Sequence, residues 1–158
     1  MRRILLASRP SGALSASDFD IVDDAAPSAP EGSALLEPRY LSIDPRMRSA
    51  MRDSDNPRFQ VGEVVMGWAL APVLESRTSR FRPGQLVRGR MPWAERAVVA
   101  EDAAQLSVVD HPDDIPLSVE LGALGLPGLV AYVGMVTLGA CAPGQVAFVS
   151  SAAGAVGS

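Results

Sequence analysis

Glycine and proline recur along the whole chain, fourteen of one and thirteen of the other in 158 residues, and they divide its apolar residues into short runs. Spread this way, they punctuate secondary-structure elements and do not mark a disordered tract. Up to about residue 110 the runs have the length of strands. Residues 4–7 and 19–22 lie either side of the turn Pro10-Ser11-Gly12, and the longer run 33–43 closes at Asp44-Pro45, where proline ends it. Residues 46–51 can form one helical turn, and 53–58 read as a polar loop. Residues 63–74 form an apolar stretch with Gly67 and Pro72 inside, the pattern of a strand that bends or bulges. The turn Arg82-Pro83-Gly84-Gln85 leads into 86–88, and 93–100 is a further strand. Many short strands at this spacing predict a mostly β, barrel-like domain.

The periodicity changes after His111-Pro112-Asp113-Asp114 and becomes helical. Residues 117–124 are one candidate helix. A second runs from Pro127 to about Leu138, with proline at its first position and Gly139 just past its end. Leu129, Val133 and Val136 would line one face of it. Pro143-Gly144 then turns into 145–150, a short β-branched and aromatic run of the kind found in buried parallel strands. A domain boundary is therefore expected within 110–125. With 158 residues, 47% of them hydrophobic, the chain has enough for one domain with a core, or for one domain plus the beginning of a second.

After that strand comes Ser150-Ser151-Ala152-Ala153-Gly154-Ala155-Val156-Gly157-Ser158. Counted from Ala152, this is Ala-x-Gly-x-x-Gly, a dinucleotide fingerprint with alanine at the first glycine position. Gly154 has no Cβ, so backbone can approach a pyrophosphate closely. Gly157 would let a following helix pack against the strand, and the N-terminal amides of that helix would receive the phosphates. A glycine-rich loop alone is weak support, and the strand before it raises the odds to about even. The sequence ends one residue after Gly157. The expectation is a polypeptide that begins this site without completing it.

Composition removes several function classes. The net charge is −4, and all fourteen basic residues are arginines scattered along the sequence (Arg39, Arg46, Arg58, Arg77 and Arg90 among them). An acidic chain with no basic patch is a poor nucleic-acid binder. Cys141 is the only cysteine, which excludes an internal disulfide and fits a reducing compartment. No stretch approaches a membrane span, and the short apolar start is broken by Arg9-Pro10. The expectation is a soluble cytoplasmic protein.

Residues 121–132, Leu-Gly-Ala-Leu-Gly-Leu-Pro-Gly-Leu-Val-Ala-Tyr, followed by the strand and the glycine loop, resemble the medium-chain dehydrogenase/reductase superfamily. The resemblance narrows to its zinc-independent prostaglandin reductase, leukotriene B4 dehydrogenase and plant double-bond reductase branch. Residues 40–48, Tyr-Leu-Ser-Ile-Asp-Pro-Arg-Met-Arg, are similar to that branch's "YLSxDPYMR". Residues 81–89, Phe-Arg-Pro-Gly-Gln-Leu-Val-Arg-Gly, are similar to its "FxxGDxVxG". The resemblance implies a mostly β GroES-like barrel domain over 1–120, followed by the first helix and strand of an α/β Rossmann domain over 121–158. Members of the branch are longer; their Rossmann domain continues, and a C-terminal segment returns to the first domain.

The function implied is NADPH-dependent reduction of the C=C bond of α,β-unsaturated ketones and aldehydes, with this chain inactive alone. Cofactor-side residues are Leu126, Val130, Ala152, Ala153, Gly154, Ala155, Val156 and Gly157; substrate-side residues are Arg46 and Trp68. The cofactor is NADP(H), and a homodimer is compatible with the resemblance. Arg46 stands where the branch carries tyrosine, Trp68 where plant members carry another aromatic, Val130 where a threonine lies near the nicotinamide, and Gln85 for aspartate. Valine supplies no hydroxyl.

A catalytic zinc needs about three protein ligands, commonly Cys and His. Cys141 and His111 do not make such a set. No metal is expected, and no catalytic acid is assigned. Each candidate has a bland counterpart. Trp68 can be a core aromatic, and Arg46 a solvated surface cation. Tyr40 and Tyr132 sit in apolar runs and read as structural. His111 reads as exposed, and Cys141 as a spectator. Two other functions stay open: a non-catalytic GroES-like module for a small molecule or partner, and a quinone oxidoreductase-like enzyme.

Overall fold

The computed structural model describes residues 1–52 and 58–157. The expected polar loop 53–58 thus lies almost wholly outside the described residues. The chain forms two compact units, Met1–His111 and Pro112–Ser158. The division falls after His111.

The first unit is antiparallel β. Strands β1 (Arg2–Leu6) and β2 (Phe19–Asp23) form a hairpin, in register from Arg2 opposite Asp23 to Leu6 opposite Phe19. The remaining strands are β3 (Ser33–Leu36), β4 (Tyr40–Leu41), β5 (Met66–Ser76), β6 (Leu86–Pro92), β7 (Ala97–Ala100) and β8 (Leu106–Val109). They form a six-stranded sheet in the order β7-β3-β5-β6-β8, with β4 also paired to β5. The expected run 33–43 is two strands because Pro38 offers no amide to a ladder. The short helix α1 (Pro45–Met51) follows β4, with proline in its first turn and Asp44 as its cap. The expected strand 93–100 starts only at Ala97.

Alternation decides which face is buried. Val87, Gly89 and Met91 of β6 point inward, as do Ala97 and Val99 of β7. The side chains of Val87, Met91, Ala97 and Val99 form the main core with Ala34, Leu36, Ala69, Ala71, Val73, Phe81 and Leu106. Phe81 is the largest fully buried side chain. Burying each such large apolar group stabilises the fold by about 1.5–3 kcal/mol. A second cluster, Leu6, Met51, Phe59 and Val65, ties β1 to α1, and Met47 and Trp93 pack against it. The bulge expected in the long strand lies beyond Pro72: Leu35 faces Glu75 and Leu36 faces Val73, so Leu74 is the extra residue. The Arg80 guanidinium donates to the carbonyls of Glu101, Ala103 and Leu106 at 2.6–2.8 Å, pinning the turn between β7 and β8.

The second unit is different in kind. Residues Leu117–Leu121 form a 3₁₀ turn rather than the expected longer helix, and Gly122 terminates it. Helix α2 (Leu126–Tyr132) continues into a wider, π-helical stretch, Val133–Leu138, where the Gly139 amide reaches back to Gly134. Leu129, Val133 and Val136, expected to line one face of this helix, are all exposed. Residues 145–150, expected to form a parallel strand, join no ladder among the described residues. Such a strand exists only between neighbours that complete its backbone hydrogen bonds. Val146 is 98% and Phe148 92% exposed. No helix among the described residues is long and apolar enough to cross a membrane.

Candidate functional site

The substrate-side candidates belong to the first unit. Trp68 lies on β5, half-buried, opposite Arg90 of β6. Its carbonyl accepts from the Ser42 amide at 2.7 Å, extending the β4–β5 pairing just before α1 begins. Arg46 occupies the first turn of α1. Asp44 caps that turn by accepting from the Arg46 amide at 2.7 Å, and the same carboxylate pairs with the Arg46 guanidinium at 3.4 Å. The Arg46 side chain is 72% exposed, so this ion pair orients it and adds little stability. Two residues far apart in sequence thus come to one edge of β5.

The sequence reading missed what holds that edge. Gly67, taken as a bend, is needed for a close approach. A Cβ there would lie 2.6 Å from Trp93 Nε1 and 3.4 Å from Met47 Cε. A glycine inside an apolar strand is the signal for such a contact, but it does not say which residue approaches. Nearby, the Glu37 carboxylate accepts from Arg39 at 2.9 Å and Arg96 at 2.7 Å. Its hydrogen bond with Arg39, with help from Arg96, holds its pKa below the ordinary glutamate value. A shallow apolar groove lined by Ile4, Ile21, Pro38, Leu41, Trp93 and Ala94 opens beside the Arg2–Glu95 ion pair, and includes neither Arg46 nor Trp68.

The nucleotide-side candidates belong to the second unit. Leu126 and Val130 are four apart on α2, hence on one face, and both are exposed. Gly128 between them has no space for a side chain against the Ala123 carbonyl. Residues 151–156 are exposed and folded as successive turns. The Gly154 amide donates to Ser151 at 2.8 Å, and the Gly157 amide to Gly154 at 3.1 Å. A Cβ on Gly157 would sit 2.6 Å from the Ser151 carbonyl oxygen and 2.9 Å from Ala152 Cα. The residues from Ala152 to Val156 are exposed, and Gly157 is closed against the loop's own Ser151 carbonyl, so no side chain larger than hydrogen fits there.

Other readings need correction. Tyr40 and Tyr132 are exposed, since β4 lies outside the main strand order and α2 has no core beneath it. His111 is half-buried and engaged with a partner. Cys141 is an exposed free thiol. No group of three or more His, Cys, Asp or Glu side chains that could hold a metal ion occurs among the described residues.

A family described as the N-terminal domain of oxidoreductase matches residues 2–109. The chain belongs to the zinc-independent medium-chain dehydrogenase/reductase family. Among its relatives, prostaglandin reductase 1 of Bos taurus is 35% identical over 142 residues, which is 90% of this chain and 42% of that protein. The 2-alkenal reductase (NADP(+)-dependent) of Nicotiana tabacum is 39% identical over 135 residues, 81% of this chain and 38% of that protein. The crystal structure of CurA in complex with NADPH from Vibrio vulnificus superimposes with a TM-score of 0.85 at 32% identity, covering 99% of this chain and 46% of that one. The chain thus spans less than half the length of these medium-chain reductase relatives.

Proposed function

We infer that this chain supplies the substrate side, and the first nucleotide-contacting segment, of an NADPH-dependent reductase of C=C bonds in α,β-unsaturated ketones and aldehydes. The observation that carries this reading is the turn at 152–157. Its residues from Ala152 to Val156 are exposed and mostly carry no side chain beyond a methyl, in a chain whose relatives include a 2-alkenal reductase named as NADP(+)-dependent. When bound, NADPH supplies the hydride that adds to the β-carbon of the substrate. Ala152, Ala153, Gly154, Ala155, Val156 and Gly157 would receive the pyrophosphate, with Leu126 and Val130 on the nucleotide side. Trp68 would give the enone an apolar wall, and Arg46 would face its carbonyl end. After hydride addition the substrate carries an enolate, which accepts a proton at the α-carbon. Val130 brings no donor to that step, so the polar contacts that stabilise the oxyanion come from other groups. The same reading carries cytoplasmic location and a homodimer.

Turnover by the complete gene product tests it. NADPH consumption should depend on 3-nonen-2-one and yield the saturated ketone. Consumption with a quinone and none with the enone would replace this reading by the quinone reductase alternative.

A further inference from the structure

We propose that Trp93 is a positioning residue for the substrate side, holding Arg46 and Trp68 in place through their neighbours Met47 and Gly67. The proposal rests on the substrate-facing reading of Arg46 and Trp68 given above. Trp93 is fixed at both ends of its peptide unit: its amide donates to the Val65 carbonyl at 2.7 Å, and its carbonyl accepts from the Ile4 amide at 2.9 Å. The side chain packs with Met47 against the cluster of Leu6, Met51, Phe59 and Val65. Its Nε1 and Cδ1 lie 2.6 and 3.4 Å from where a Cβ on Gly67 would be, and Met47 Cε reaches the same point at 3.4 Å. Strand β5, helix α1 and the link from β6 to β7 therefore meet where no further atom fits.

The character of the contact follows from one polar atom. Trp93 Nε1 is buried and has no hydrogen-bond partner among the described residues. A buried donor without an acceptor is unfavourable. What holds the indole at Gly67 is packing, against Met47 and the cluster of Leu6, Met51, Phe59 and Val65. Gly67 precedes Trp68 on the strand, and Met47 follows Arg46 on the helix. Displacing the indole shifts both substrate-side residues at once.

Trp68 and Trp93 are the only tryptophans, so replacing Trp93 leaves Trp68 as the sole indole reporter. Trp93→Phe keeps a ring against Gly67, whereas Trp93→Leu removes it. Relative to Trp93→Phe, the leucine variant should show red-shifted Trp68 emission and about twofold stronger acrylamide quenching, as a half-buried ring that loses its backing samples more exposed rotamers. Its affinity for 3-nonen-2-one, read by quenching of the same indole, should be about tenfold weaker. Adding Gly67→Ala to the leucine variant places a methyl in the vacated space and should return the emission towards that of the phenylalanine protein. A merely structural role would lower the melting temperature without moving Trp68. Should the leucine variant not fold, Met47→Ala in the Trp93→Phe background gives the same comparison. Identical Trp68 emission, quenching and enone affinity in the folded variants overturns the proposal alone, provided Trp68→Ala weakens enone binding. A Trp68→Ala protein that binds the enone as tightly as the parent overturns the substrate reading, and the proposal with it.

Discussion

The two units differ in how far they satisfy themselves. In Met1–His111 the strands pair with one another, and two apolar clusters close around them. In Pro112–Ser158, Glu120 is the only buried residue among those described, and apolar side chains from Leu124 to Val156 face outward. The lesson lies in connectivity. The antiparallel strands of the first unit find their partners within residues 1–111, β3 with β7 included, whereas a parallel α/β sheet needs further strands that arrive through long crossovers. Residues 145–149 have the composition of a buried strand and none of its neighbours.

Hydrogen exchange should break or confirm that contrast with the largest effect. Amides of the β5–β6 ladder should be protected on the order of 10³-fold or more, while those of 145–149 should exchange as in an unfolded peptide. Comparable protection in both would refute the contrast. Substitution gives the next largest difference. Phe81→Ala should destabilise the first unit by about 3–5 kcal/mol in denaturant titration, whereas Phe148→Ala should change stability by less than about 0.5 kcal/mol. Asp44→Ala should cost about 1 kcal/mol by removing the α1 cap, and should lower enone affinity by releasing Arg46. Unchanged affinity would detach Arg46 from the substrate side.

The smallest effect concerns pH. Glu95 is held below the ordinary glutamate pKa by the Arg2 amide and then by the Arg2 guanidinium. Glu101 is lowered by the Ser79 hydroxyl first. Carboxyls with depressed folded-state values stabilise the fold above the unfolded pKa, and that contribution is lost as pH falls through the folded value. Thermal stability of the first unit should thus decline on acidification below the ordinary glutamate range. Glu95→Gln should be slightly less stable at neutral pH and show a shallower acid decline. An unchanged acid profile would remove the Arg2–Glu95 pair from the account.

Much of the first unit was legible in the sequence because its cues are local. Prolines and glycines mark the turns, and the short apolar runs between them mark the strands. Gly67 and Pro72 signalled a strand that bends or bulges, yet Leu74 carries the bulge, because its position depends on the register with β3. Gly67 was read as a bend, and its contact with Trp93, 26 positions away in sequence, is known only from tertiary structure. In the second unit, α2 was readable from its proline and its period. Its exposed faces were not, because apolar periodicity records a partner surface without saying whether this chain provides it.

The nucleotide turn is the centre of the account, and calorimetric titration of the complete gene product with NADPH tests it most directly. One-site binding is expected, weakened at least about tenfold, or about 1.4 kcal/mol, by Gly157→Val, whose Cβ would meet the Ser151 carbonyl. Absence of binding heat, or equal affinity in the valine variant, would contradict it.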